Sequence, residues 1–409
     1  GDRAKLISSN DGTNFTYRGR FNDAEEALSI GYETTQKTHS ALRWLIGRQG
    51  ISIGDQTILV WGMADEQVPS VTEDTYGLVK DMEEDVPYLD GPEDIPEFDK
   101  PIADTRAAFA LRFNNAIQGY REKLTDYSQI TVMILDSATP GRMSIRYYRE
   151  LSGSRLMDAV EDWHRNFAWE QCYRKEQKEK KGKSVSESIV FFGAPAPKDI
   201  AEATYGVNVD SKLKQHTIER LLPCITEQRP FPRDLIRTLM YRAANGIAME
   251  PWEAKKTRGI ACALVRGYYH RNKKEDFSMA LDENCHDRSY LFGRILACAD
   301  QLERTYNYYF SGDVHRPTNA LRMETIFTQR PAKTTDRLRK KLEPYLELLL
   351  KNNKSIYSND LMLKLLDRIP IKEFNNDPLS ELYLLGYASQ RAEFFKKSNI
   401  DRSIDANNE

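Results

Sequence analysis

A chain of 409 residues, 40% hydrophobic and 29% charged, has room for two or three domains, each burying its own core. No apolar run approaches the ~20 residues that a membrane helix needs, and no signal-peptide core opens the chain, so the expectation is a cytoplasmic protein without membrane contact. Cys172, Cys224, Cys262, Cys285 and Cys298 lie far apart with no CxxC pair, which excludes a disulfide framework and a zinc ribbon.

The chain begins Gly1-Asp2-Arg3-Ala4 with no initiator methionine, which reads as a piece of a longer parent with a region missing upstream. Residues 34–48 carry helical spacing, with Ala41, Leu42, Leu45 and Ile46 on one face, and a turn at residues 50–54 ends the helix. Thr57-Ile58-Leu59-Val60-Trp61 is a short run of strand type. Residues 61–105 then hold fourteen acidic side chains against Lys80 and Lys100, together with Pro69, Pro87, Pro92, Pro96 and Pro101. Like charge and proline resist packing, which predicts a surface loop or partly disordered insertion. Without that segment the net charge of −2 becomes about +10 on the rest, a balance suited to a polyanionic partner.

Helical spacing resumes over residues 107–124. Ile130–Leu135 and Arg142–Arg149 flank a Pro140-Gly141 turn and predict a β-hairpin. Strict alternation in its second strand would put Met143, Ile145 and Tyr147 on a core face and Arg142, Ser144, Arg146 and Tyr148 on the other. Two arginines and a ring on one face could lie along a phosphate backbone, or could be a solvated sheet face. From Ser154 onward helices are expected to dominate. Leu156, Val160, Trp163 and Phe167 form a packed stripe, and the mixed-sign run over residues 174–183 reads as a solvated helix end. Further helices are predicted near residues 201–205, 213–222, 233–244 and 252–271, the last region being the most basic of the chain. Residues 289–309, 337–350, 360–366 and 378–397 read as four helices, enough for an independent bundle. The fold class is therefore α+β and predominantly helical: a mixed α/β part with a β-hairpin over residues 1–150, a helical middle over 151–278, and a C-terminal helical bundle over 279–409.

The common phosphate, dinucleotide, hydrolase and zincin signatures are missing. One constellation carries possible chemistry. His286-Asp287, with His270 upstream and Asp300 downstream, resembles the ligand set of a metal-dependent HD phosphohydrolase. Asp287 lies just before a helix, however, where it would serve as an N-cap without any metal. His39, His164, His216 and His315 have no partner at ligand spacing. The primary expectation is a non-enzymatic chain with no cofactor and no metal; the HD hydrolase is the alternative.

Four stretches, in order, resemble one family: Ala4-Lys5-Leu6-Ile7-Ser8-Ser9-Asn10 with Thr16-Tyr17-Arg18-Gly19-Arg20-Phe21; the hairpin from Val132 to Tyr148; Ser289-Tyr290-Leu291-Phe292-Gly293-Arg294-Ile295-Leu296; and Tyr383-Leu384-Leu385-Gly386-Tyr387-Ala388-Ser389-Gln390-Arg391. Together they resemble the large subunit of the type I-C CRISPR surveillance complex (Cascade), with departures in the turn at residues 136–141 and in the closing motif. The resemblance implies an antiviral effector in which base pairing supplies sequence specificity and the protein supplies backbone contacts. Its implied partners are the Cascade backbone and RNA-end subunits, the small subunit, guide RNA, the displaced strand of target DNA, and a helicase–nuclease. It also implies that the C-terminal bundle resembles the small subunit, and the position of Met279 just before that bundle makes it the expected internal start. The candidate nucleic-acid-binding residues are Arg142, Arg146, Arg266, Arg271, Lys273, Lys274, Arg288, Arg294, Lys333, Arg337, Arg339, Lys340 and Lys341.

Overall fold

Gln56–Gly62 alternates Ile58 and Val60 with Leu59 and Trp61, so both faces of this strand are apolar and both need cover. The computed structural model describes residues 30–63, 68–83, 102–124, 128–139, 142–176, 186–313 and 316–406, and it provides that cover. The chain is predominantly helical α+β, as expected. It forms two compact units, each discontinuous in sequence. The first holds the described parts of Gly1–Val71, Ile117–Val160 and Val209–Glu227; the second holds those of Thr72–Ala116, Glu161–Asn208 and Gln228–Glu409.

The first unit is built on an antiparallel sheet of order β1-β2-β3-β4, with β1 Ile51–Ile53, β2 Gln56–Gly62, β3 Gln129–Thr139 and β4 Arg142–Ser152. The two-residue turn between β1 and β2 requires Gly54 twice over. Its φ is +56°, and a Cβ there would fall 2.2 Å from Nε2 of Gln215, whose amide donates to the Ile53 carbonyl at 2.7 Å. Helix α1 (Tyr32–Gln49) covers one sheet face, where Leu42 packs with Leu59, Met133 and Leu135, and Leu45, Ile46, Trp61 and Met143 close the edges. Ile58, Val132 and Ile134 are buried on the opposite face.

The expected hairpin is present, but its second strand does not alternate strictly. Ile134 pairs with Tyr147 while Leu135 pairs with Ile145, so Arg146 is a bulged residue and the side-chain order flips across it. Ile145 consequently shares the α1 face with Met143 and is 45% exposed. Tyr147 is turned to the other face, where its hydroxyl meets Thr226 Oγ1 at 2.7 Å and donates to Glu227 Oε1 at 2.7 Å. The single apolar face of Met143, Ile145 and Tyr147 is thus corrected to two half-faces.

Helices dominate after Ser154, as expected, but a strand pair that the spacing did not predict also lies there. Helix α2 is Thr75–Glu83, α3 is Ile102–Lys123, and α4, Gly153–Asn166, carries the Leu156–Val160–Trp163 stripe. The chain then enters a second hairpin, β5 (Trp169–Glu176) with β6 (Ser186–Gly193). Trp169 and Gln171 are buried two residues apart, the strand period, beneath the helix that begins at Pro251. Gln171 donates to the carbonyls of Gly193 and Gly259 at 3.4 Å, which pairs its buried amide nitrogen, while its Oε1 is left without a hydrogen-bond partner.

Residues 84–101 of the acidic insertion lie outside the described residues, as do the motif at residues 4–21, the turn at residues 140–141 and His315. The flank of the insertion packs closely. Leu78 and Val79 of α2 are buried, and Thr75 Oγ1 accepts the Ala194 N–H at 2.7 Å and lies 2.8 Å from Nδ1 of His164. Burial pushes His164 down to about 3, so this imidazole is a neutral core partner.

The rest of the second unit is helical: α5 Pro197–Tyr205, α7 Arg233–Ala244, α8 Pro251–Tyr268, α9 Arg288–Tyr306, α10 Asn319–Gln329, α11 Pro331–Lys351, α12 Tyr357–Asp367 and α13 Leu382–Ala406. Helix α6, Ser211–Thr226, belongs to the first unit. Short π-helical turns extend α8 over Tyr269–Lys273 and α9 over Asn307–Ser311. The last two quoted motifs pack on each other. A Cβ on Gly293 of α9 would lie 2.0 Å from the Tyr383 carbonyl oxygen, and one on Gly386 of α13 would lie 2.1 Å from that of Tyr290. Reciprocal glycines let the two backbones touch, and Tyr290–Ser389 and Arg294–Gln390 hydrogen bonds, each 3.0 Å, flank the crossing.

Candidate nucleic-acid interface

The surface that can meet a polyanion is set by a buried ionic frame. Asp300 and Arg304 stand one turn apart on α9, and Asp300 is fully buried. Its Oδ2 accepts from Arg304 Nε and from the Tyr387 hydroxyl, each at 3.0 Å, and lies 3.3 Å from Arg391 Nε. Its Oδ1 accepts from the Thr318 hydroxyl at 2.6 Å. Burial alone would push the Asp300 carboxyl up, but Arg391, Arg304 and Thr318 outweigh it and hold the group below the ordinary carboxylate range.

Glu303, also on α9, accepts the Asn319 backbone N–H at 2.7 Å and the Asn319 side-chain amide at 3.1 Å. Thr318 Oγ1 meanwhile caps α10 by accepting from Leu321 N at 3.4 Å. Arg258 of α8 donates to Glu324 of α10 at 2.6 Å and lies 4.6 Å from the Tyr387 ring centre. Two carboxylates of α9 therefore fix the start of α10, and a buried ion pair fixes its middle. The following helix, α11, inherits that placement.

The frame and its neighbours occupy several of the candidate cations. Arg271 is buried; it donates to Asp162 and lies over Phe167 at 4.9 Å. Arg294 is buried, and Arg266 donates to the carbonyls of Phe277, Arg165, Asn166 and Ala168, closing the end of α4. Arg288 donates to the carbonyls of Glu373, Asn375 and Asp377, which ties the loop before α13 to the start of α9. Arg146 is exposed and pairs with Asp136 at 2.9 Å, while the side chain of Arg142 lies outside the described residues. Arg266, Arg271, Arg288 and Arg294 hold the fold, and their charges are largely spent inside it.

The remaining candidates are on the surface. Lys273 and Lys274 are exposed at the end of the α8 π-turn, Lys274 with φ +62°. Lys333, Arg337, Lys340 and Lys341 are all exposed on α11, and their spacing of four, three and one sets them along a single helical face. Arg330, absent from the sequence-based set, is exposed at the N-cap just before the helix. From Arg330 to Lys341 six basic residues meet one acidic residue, Asp336. Leu338, Leu342 and Leu349 bury the opposite side, so the stripe cannot turn inward. Arg339 projects from the far flank, and Lys341 Nζ donates to Asn319 at 3.4 Å, joining the stripe to the anchored start of α10. A row of cations on a rigid helix can neutralise successive phosphates without reading bases.

Nothing favours the HD alternative. Asp287 caps α9, accepting the Tyr290 N–H at 2.9 Å, and Asp300 is committed to two arginines and two hydroxyls. His270 pairs with Asp276, and His286 is exposed. Among the described residues no group of three His, Cys, Asp or Glu side chains is placed to hold a metal ion, and no described helix is long and apolar enough to cross a membrane.

No curated protein matches the chain. The family model described as CRISPR-associated protein (Cas_Csd1) matches residues 1–395, nearly the whole length and across both compact units. The chain belongs to the CRISPR-associated Cas_Csd1 family.

Proposed function

We propose that the chain acts as the non-catalytic large subunit of a type I-C Cascade, in which the α11 stripe holds the displaced strand of opened target DNA. The observation that carries this reading is the stripe itself: Lys333, Arg337, Lys340 and Lys341 aligned and exposed on α11 with Arg330 exposed at its N-cap, next to a helix, α10, whose start is held by buried carboxylates. Family membership supports a CRISPR-associated setting, and this reading puts the chain in an assembly with other protein subunits and a guide RNA. The Cascade backbone and RNA-end subunits, the small subunit and a recruited helicase–nuclease are the partners this reading requires, and the cytoplasm is its compartment. Sequence specificity then rests with the guide, and the stripe contributes affinity that is independent of sequence and sensitive to salt.

The test is charge reversal at Arg337, Lys340 and Lys341 in the reconstituted complex, with target-DNA binding measured at several salt concentrations. Each lost phosphate contact to a single strand lowers the slope of log K against log salt by about 0.7, so the triple variant should lose about 2. An unchanged slope would remove the stripe from the interface.

A further inference from the structure

Three consecutive aromatic residues, Tyr308, Tyr309 and Phe310, sit on the π-helical turn that extends α9. They are 59%, 47% and 39% exposed, although large aromatic side chains ordinarily lead in core burial. Neighbours along one turn fan out around its axis, so no single contact can bury all three. The cluster is continuous with the basic stripe. Tyr345 lies one turn beyond Lys341 on α11 and meets Tyr306 with ring centres 4.5 Å apart. Tyr306 meets Phe310 at 5.5 Å, Phe310 meets Tyr309 at 6.3 Å, and Tyr309 meets Tyr308 at 5.0 Å. At the far end Lys354 Nζ stands 4.4 Å from the centre of the Tyr309 ring, so the aromatic surface carries its own cation.

A row of cations that runs into exposed rings, with a further cation over one of them, matches the chemistry of a single strand. Phosphates need positive charge, and unpaired bases need flat π-faces, which are sequence-tolerant. A duplex keeps its bases stacked on each other and offers the rings nothing to stack against. An apolar protein partner would not need the adjoining cations. We infer that the Tyr308–Tyr309–Phe310 turn is a base-stacking platform for the single strand whose phosphates follow α11. This inference rests on the strand-holding reading above and adds a base-dependent contribution to it.

The experiment measures binding of the purified full chain, by fluorescence anisotropy, to an oligothymidylate and to an abasic strand of equal length, each at several salt concentrations. The wild-type chain should favour the base-bearing strand by at least about fivefold, the lower end of what one stacked base is worth. The Tyr308→Ala/Tyr309→Ala/Phe310→Ala variant should bind both strands equally while its salt slope is retained. Tyr308→Phe/Tyr309→Phe, which keeps the π-faces, should retain the preference. Equal wild-type binding of the two strands, with a steep salt slope, overturns the platform and leaves the strand-holding reading standing. A preference that survives the triple alanine change also overturns the platform. Binding of neither strand overturns both.

Discussion

Replacing Asp300 with Asn removes one charge from the centre of the frame and little volume. In the native chain that carboxylate is fully buried and neutralises Arg304 and Arg391 while accepting from Thr318 and Tyr387. An Asn side chain has one carbonyl acceptor where the carboxylate had two oxygens, and its amide would point a donor at a hydroxyl or guanidinium. Breaking a buried pair by deleting one partner costs about 3–5 kcal/mol, because the other charge stays desolvated. Part of Arg304 reaches solvent, which places the expected loss near about 3 kcal/mol. For a unit of this size that is a fall of about 6–12 °C in the unfolding midpoint, read by far-ultraviolet circular dichroism.

The pH dependence follows from the sign of the shift. Asp300 is held below its ordinary value of about 4. It therefore contributes stability that is present above that value and is lost as pH falls through its lower folded value. The gap between wild type and Asp300→Asn should be full at neutral pH and begin to close only on acidification below the ordinary carboxylate range. A loss within about 0.5 kcal/mol, as for an ordinary surface change, or a gap independent of pH, would refute the frame as described.

Arg271→Met tests the separation between structural and surface cations. It leaves Asp162 without its buried partner and should cost about 2–3 kcal/mol in denaturant unfolding, yet leave the salt slope of strand binding unchanged. Met279 precedes α9, and internal initiation there would yield a product carrying α9 to α13. Met279→Leu should abolish a short C-terminal product on an immunoblot of expressing cells; an undiminished product would sink that proposal.

Much of the architecture was legible from periodicity. The helix over Arg233–Ala244, the Gln56–Gly62 strand and the two strands either side of the Pro140-Gly141 turn follow directly from apolar spacing. What escaped was decided by tertiary partners. The β5–β6 hairpin was hidden because Arg174 and Lys175 dominate its end, while the buried Gln171 at its centre is polar and its amide nitrogen finds acceptors only in carbonyls distant in sequence. The flip at Arg146 was hidden because a bulge leaves composition untouched. Linear boundaries could not anticipate units assembled from three separated stretches each.

The candidate site was legible as charge and unreadable as availability. Arg266, Arg271, Arg288 and Arg294 look no different in sequence from Lys333 or Arg337, yet the first four bind carbonyls or buried side chains. The i, i+4 pair Asp300–Arg304 was available as a signal for the frame, but Asp300 was weighed only as a metal ligand. Tyr308 and Tyr309 were read as the end of an ordinary helix, and only the π-turn reveals their exposure.

The central claim is that a displaced single strand lies along α11. The most direct measurement places photoactivatable thiothymidine in the displaced strand of target DNA bound to the reconstituted guide-RNA complex, and maps crosslinked peptides by mass spectrometry. Crosslinks are expected within residues 308–310 and 330–345. Crosslinks confined to the sheet of the first unit, or none to this chain with the strand opened, would contradict it.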